Sequence, residues 1–319
     1  MREVTVSRRT HEAQGIVGVE LLPVDGTPLP EFSAGAHVDV YLPSGICRQY
    51  SLTNAPDETH RYCLGIGLAE NSRGGSRHFH EQLREGDRFQ VGVPRALFGL
   101  EQAAPVHVFV AGGIGITPFL SMIEACEKAG QPWRLLYCVR TQARAAYLWR
   151  LAPYASRVTL HVDEEQSSLP DLPRFLGDGS VSAHVYCCGP APLMAAVEQA
   201  AASAGVAPGS LHFERFAGDA VSDAAAPAGA KKAFRLTLRR TGRSLEVSPD
   251  QSMLEALEDH GIDHPYACRE GLCRSCEAPL LAGRADHRDY VLSESEKAAN
   301  ACVILCVSRS LDDELVLDL

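Results

Sequence analysis

Cys268-Arg269-Glu270-Gly271-Leu272-Cys273-Arg274-Ser275-Cys276, with a fourth cysteine at Cys306, is the stretch that decides this chain. The spacing is C-x4-C-x2-C-x29-C, the plant-type pattern in which four thiolates hold a [2Fe–2S] cluster. Two irons and two sulfides need four soft anionic ligands, three from one tight loop and the fourth from elsewhere in the fold. Gly271 lets the loop close and aim backbone N–H groups at sulfur. A zinc site would pair its ligands closely twice over, and Cys306 has no such mate. Cys302 lies four residues before it, in an apolar run where a packed thiol serves as well. A disulfide framework belongs to secreted chains, and nothing here marks one.

The rest of the chain must supply electrons to such a centre. At 319 residues it exceeds what one core ordinarily organises, so two or three domains are expected. A formal net charge of −10 leaves no basic stripe to replace phosphate counterions, which argues against nucleic acid. It fits a docking partner with a positive patch. The N-terminus has no apolar run with a cleavage site, and no stretch has the length of a membrane span. Eleven cysteines suit a reducing cytoplasm.

The first hundred residues read as antiparallel β, with strands expected at 17–22, 37–42, 49–52, 62–68 and 89–93 and turn residues between them. Arg48 and Tyr50 would share one strand face, a cation for phosphate beside a ring for stacking. Arg73-Gly74-Gly75-Ser76 opens a helix expected over 77–84, whose bare N–H groups favour an anion. A plain glycine turn is the alternative. From 104 the pattern alternates β and α, which implies a parallel sheet. A strand at 106–110 leads into Gly112-Gly113-Ile114-Gly115-Ile116-Thr117-Pro118. The helix after it runs over 119–129, with Thr117 as N-cap and Gly130 as stop. This is the strand, glycine turn, helix context of dinucleotide binding, though not a strict G-x-G-x-x-G. Further strands are expected at 133–139, 158–162, 184–188 and 211–216, with a helix at 192–204. The ligand belongs off the carboxyl ends of the strands, where this turn and Cys188-Gly189-Pro190 both fall. Residues 218–230 read as a linker. A hairpin at 234–247, a helix at 252–260 and a strand-like tail flank the cysteine loop.

The motifs RQYSL, RGGS, GGIGITP, CCGP, HFERF, CREGLCRSC, DHRD and LCVSRS, in this order, resemble the phthalate dioxygenase reductase family. Vanillate O-demethylase reductases within it look especially close. The resemblance implies an antiparallel β-barrel flavin domain (1–103), an α/β parallel-sheet nucleotide domain (104–217), a linker (218–231) and a β-grasp plant-type ferredoxin domain (232–319). It implies that Arg48 binds the FMN phosphate, Tyr50 lies against the isoalloxazine and Ser51 hydrogen-bonds near flavin N5. Gly75 and Ser76 would complete the phosphate site, and Gly113, Gly115 and Thr117 would receive the pyrophosphate of NADH. Cys188 would face the nicotinamide, and Phe216 would lie near the flavin. Cys268, Cys273, Cys276 and Cys306 would hold the cluster.

The expected activity is hydride transfer from NADH to FMN, then single electrons through [2Fe–2S] to a Rieske-type oxygenase partner. The cofactors carry that chemistry, which agrees with the lack of a protein acid–base or Ser-His-Asp pattern. The acidic ribose ligand usual about twenty residues past the glycine turn is missing. Arg140 and Arg144 stand there instead and leave NADPH open. The rivals are a stand-alone NAD(P)H oxidase or flavin reductase, and a module with a structural metal.

Overall fold

The computed structural model of the chain describes residues 1–69, 74–166, 168–177, 182–216 and 232–319. Arg73 and the expected linker at 218–231 lie outside the described residues. The chain divides into two compact units, Met1–Glu214 and Arg215–Leu319.

The first unit opens with a strand beyond the expected set. β1 (Arg2–Ala13) buries Val4 and Val6 on one face and carries charged residues at half of its other positions. A register break between Val6 and Arg8 interrupts the alternation by which strands are recognised. β2 (Ile16–Pro23), β3 (His37–Tyr41), β4 (Cys47–Ser51), β5 (Tyr62–Gly67) and β6 (Arg88–Val91) complete an antiparallel sheet in the order β4-β3-β6-β1-β2-β5. A bridge between Leu52 and Leu64 brings the two ends of that order together and curls the sheet into a barrel. Val38, Leu52, Tyr62, Ile66 and Phe79 fill it. A short helix, α1 (Gly75–Arg77), runs on as a π turn over His78–Gln82 and buries Phe79. The helix expected at 77–84 thus begins earlier and ends sooner.

The second half of this unit alternates as expected. In chain order it comprises β7 (Val106–Gly112), α2 (Thr117–Ala129), β8 (Trp133–Val139), α3 (Leu148–Leu151) and β9 (Val158–Val162). Then come α4 (Leu172–Leu176), β10 (Ala183–Cys188), α5 (Ala191–Ser203) and β11 (Leu211–Glu214). The sheet is parallel, with order β11-β10-β7-β8-β9. Phe109, Phe119, Tyr137 and Tyr186 pack on one face and Val108, Val110, Val185 and Val197 on the other. The chain moves outward from β7 through β9, then returns to the other side of β7 as β10. That reversal opens a crevice between β7 and β10 at their carboxyl ends. Ala13, Ile16 and Ala34 of the barrel join the core around Phe119, so the two sheets share buried surface.

Two expectations need correction. Thr117 is not the cap of α2 but its first residue. A 3-10 turn over Gly113–Ile116 leads straight into the helix, and Ile116 takes the cap position. β11 ends at Glu214, so Phe216 lies beyond the strand, and it is 45% exposed.

The second unit contains β12 (Phe234–Leu238), β13 (Arg243–Val247), α6 (Met253–Asp259), β14 (Glu277–Ala282), β15 (Ala285–Asp286), α7 (Glu294–Ala299), β16 (Cys302–Ile304), β17 (Arg309–Ser310) and β18 (Glu314–Leu317). Its main sheet has order β13-β12-β18-β14-β16, and the C-terminal strand β18 pairs parallel with β12. Helix α6 buries Met253, Leu254, Ala256 and Leu257 in a core with Leu236, Val303 and Leu315. Ser252 and Glu255 close its N-terminus reciprocally as a capping box. Among the described residues no helix is long and apolar enough to cross a membrane.

Candidate functional site

The four cysteines meet through sheet pairing. β14 runs antiparallel to β16 with Glu277 opposite Ile304. This register sets Cys276, one residue before β14, beside the chain leading to Cys306. Leu305 N–H donates to the Cys276 carbonyl at 3.1 Å and fixes the approach. The loop from Cys268 to Cys276 holds three left-handed residues, Arg269, Gly271 and Arg274, with φ of 58°, 72° and 59°. For the two arginines that backbone costs about 1–3 kcal/mol each. It winds the loop inward, and Glu270 and Leu272 N–H donate to Cys268 Sγ at 3.3 and 3.5 Å. A side chain at 271 would also run into Val307 and Asp289.

The thiols touch one another. Hydrogen bonds with Cys273 and Cys306 hold Cys268 well below the ordinary thiol range, and a bond with Cys306 lowers Cys276. The same contacts with Cys268 and Cys276 push the Cys306 thiol up. Four sulfurs this close together suit iron, which binds them as thiolates. Among the described residues no three His, Cys, Asp or Glu side chains converge as ligands of a single ion. A binuclear cluster takes its four thiolates two to an iron, so it needs no such trio. Cys302 stays apart, its surroundings Glu277 and Arg274, with burial raising its thiol to about 11.

In the barrel, Arg48 and Tyr50 pair across to Val40 and Val38 and so share a face, as strand geometry requires. Tyr50 packs edge-on against Phe79 with ring centroids 5.1 Å apart. Gly75 lies under the Arg48 stem, where a Cβ would come within 2.7 Å of Arg48 Cγ. Ser76 accepts the Ala69 N–H at 3.2 Å. Ser51 is 3% exposed, and its Oγ has no hydrogen-bond partner among the described residues. A buried hydroxyl left this way costs about 1–3 kcal/mol unless something bonds to it. A flavin edge at this point would meet that need, so the residues fit FMN.

In the nucleotide sheet the two glycine turns pack on each other. A Cβ on Gly115 would overlap the Cys188 carbonyl, and one on Gly112 would lie 2.6 Å from Pro190 Cδ. Only glycine permits that closeness. Gly113 opens the turn at φ 56°, and Thr117 Oγ1 donates to the Ile114 carbonyl at 3.0 Å. Beside them lies a cleft of about 650 Å³ lined by Gly112, Gly113, Arg140, Arg144 and Asp163, among others. The cradle and its volume suit a dinucleotide.

Two residues escaped the sequence reading. Asp163 follows β9 and reaches this cleft beside Arg140. The acid that lines this cleft therefore comes from the next strand outward, which only the sheet order reveals. Glu214 is the register partner of Cys188. Its Oε2 is buried without a partner among the described residues, and burial raises the carboxyl to about 8. The buried Cys188 thiol is itself pushed well up, by burial and by Glu214. The signal in the sequence was a lone acid at the end of an apolar strand, in HFERF. The structure thus gathers Arg48, Tyr50, Ser51, Gly75 and Ser76 in the barrel. It sets Gly113, Gly115, Thr117 and Cys188 at one end of the parallel sheet and the four cysteines in the second unit.

A barrel of flavoprotein type, a parallel nucleotide sheet and a ferredoxin domain in one chain define a modular electron-transfer oxidoreductase. Residues 236–310 match the 2Fe-2S iron-sulfur cluster binding domain. Residues 94–211 match the N-terminal domain of dimethylamine monooxygenase subunit DmmA-like proteins. The chain is 42% identical to a putative toluene-4-sulfonate monooxygenase system reductase subunit of Comamonas testosteroni, over 99% of this chain and 98% of that one. It is 41% identical to the vanillate O-demethylase oxidoreductase of Pseudomonas putida, over 100% of both. Among solved structures it is similar to phthalate dioxygenase reductase, with TM-score 0.74, 36% identity and coverage of 99% of this chain and 97% of that one. The chain belongs to the phthalate dioxygenase reductase family.

Proposed function

We propose that the chain oxidises NADH and delivers single electrons to a Rieske-type oxygenase in the cytoplasm. When bound, the nicotinamide supplies a hydride, FMN divides its electron pair and the [2Fe–2S] cluster relays one electron at a time. The division of labour follows the expected bounds: 1–103 for FMN, 104–217 for NADH, 218–231 as linker and 232–319 for the cluster. Arg48 and the Gly75–Ser76 turn hold the flavin phosphate, and Tyr50 covers the ring. Ser51 Oγ offers its hydrogen bond to the ring edge. Gly113, Gly115 and Thr117 let the pyrophosphate lie close to backbone, and the family resemblance assigns Phe216 to the flavin's neighbourhood. Cys188 lines the place of hydride transfer, with Glu214 protonated beside it at neutral pH. Cys268, Cys273, Cys276 and Cys306 hold the irons.

The contact of four thiols, in a loop whose N–H groups point at sulfur, carries this reading. It favours a relay over a flavin reductase that would need no cluster. Eleven free cysteines accord with a reducing compartment. The test is the isolated protein with NADH and cytochrome c, followed by the oxygenase encoded nearest to it. A red-brown protein should reduce cytochrome c only with its cluster intact, and NADH oxidation with the oxygenase should follow the aromatic substrate. A colourless zinc protein, or cytochrome c reduction indifferent to cluster loss, would defeat the proposal.

A further inference from the structure

The motif Asp286-His287-Arg288-Asp289 has no part in the function above, yet it runs beside the cysteine loop. Tyr290 N–H donates to the Gly271 carbonyl at 3.1 Å. Asp289 Cα and Cβ lie 3.1 and 3.3 Å from the place a Cβ on Gly271 would take. The Asp289 side chain is wholly buried. Its Oδ1 accepts the N–H groups of Val291 and Leu292 at 3.1 and 2.8 Å. Its Oδ2 has no hydrogen-bond partner among the described residues.

The arginines around this turn have partners of their own, and Arg215 lies over the Tyr290 ring, 5.0 Å from its centroid. Arg288 is drawn to Asp286 at 2.6 Å. Arg309 donates to the carbonyls of Gln251, Lys232 and Ser248. In the cysteine loop, Arg269 pairs with Glu258 and Arg274 with Glu277 and Glu296. His287 Nδ1 lies 3.8 Å from Oδ2, beyond hydrogen-bond reach, and both its ring nitrogens are buried without partners among the described residues. An asparagine would make the same two bonds to Val291 and Leu292 with no charge. The turn therefore does not require a carboxylate, and leaving one half satisfied in the interior is costly.

We propose that Asp289 sets the reduction potential of the cluster. Its carboxyl group lies under the ligand loop with Oδ2 outside any hydrogen bond among the described residues, where a low dielectric carries its field to the irons. The electron that arrives from NADH by way of the flavin adds negative charge without making or breaking a bond. Asp289 opposes that added charge, so the reduced cluster gives its electron up more readily. The inference rests on the reading of the four cysteines as [2Fe–2S] ligands.

The experiment uses the full-length holoprotein as wild type, Asp289→Asn and Asp289→Ser, each titrated spectroelectrochemically at one fixed pH. Asparagine and serine both retain an oxygen able to accept the Val291 and Leu292 N–H groups. Both variants should keep the cluster's visible spectrum and the wild-type flavin potential. The cluster's electron affinity should rise at least tenfold, a positive shift of about 59 mV for a one-electron couple. A wild-type potential in variants that retain the cluster overturns the proposal. Loss of the cluster from both variants also overturns it, because Asp289 would then be a structural brace alone. A wild-type protein without a [2Fe–2S] spectrum would instead fail the ligand reading itself, which separates the two failures.

Discussion

Glu214 is a residue at which the burial of a carboxyl oxygen has a chemical consequence outside the cysteine loop. Its carboxyl titrates near 8 because burial disfavours the charged form. Unfolded, it would titrate near 4.5. The folded chain therefore binds the extra proton between those values, and its stability must fall as pH rises through that window. Glu214→Gln should remove this component. Denaturant unfolding of flavin-free protein at pH 5 and pH 8 should show a smaller loss in the variant, and an equal loss in both would refute the assignment. Cofactor choice is a second matter of single residues. Asp163 places a carboxylate in the same cleft as Arg140 and Arg144. A 2′-phosphate would meet that negative charge, so NADH should be preferred in wild type and in Arg144→Ala alike. Asp163→Asn should raise kcat/KM for NADPH roughly tenfold, the scale of one charged contact. A wild-type preference for NADPH that collapses in Arg144→Ala would show that the arginine governs the choice.

At the scale of elements, the cysteine loop and the glycine turn divide the labour in ways a substitution can separate. Cys273→Ser removes one thiol of the four and leaves the first unit untouched. Flavin reduction by NADH should persist, while the cluster absorbance and cytochrome c reduction are lost. A full cluster spectrum in that variant would show the ligand set to be wrong. Gly115→Ala acts in the first unit, pushing the turn away from the Cys188 carbonyl. It should raise KM for NADH about tenfold or more with the flavin still bound. These elements were also the legible ones. The three loop cysteines and the glycine turn are local in sequence, so their spacing alone discloses them. β1 was not legible, because its buried face rests on Val4 and Val6 and a bulge breaks the period. The start of α2 was misplaced because a 3-10 turn does the work expected of a capping threonine. Asp163 and Glu214 were hidden for a different reason. Their neighbours depend on sheet order, with β9 outside β8 and β11 outside β10, and no window of sequence contains both partners.

For the whole molecule, the buried clusters sort by unit. Those of the barrel and the parallel sheet lie within Met1–Glu214, and that of the ferredoxin sheet lies within Arg215–Leu319. Cooperative unfolding follows shared core, so two transitions are expected in place of one. The ligands divide in the same way, with Ser51 and Arg48 in the first unit and the four cysteines in the second. A ligand that binds only the folded state stabilises the unit that holds it. The left-handed backbone at Arg269 and Arg274 increases that dependence, since the loop is strained and a cluster would hold it in place. Removing the cluster, by mild acid or by Cys273→Ser, should lower one calorimetric transition by several degrees and leave the other in place. Removing FMN should do the reverse. A single transition that moves as a whole under either treatment would show that the two units unfold together. Each would then have to be treated as part of one cooperative core.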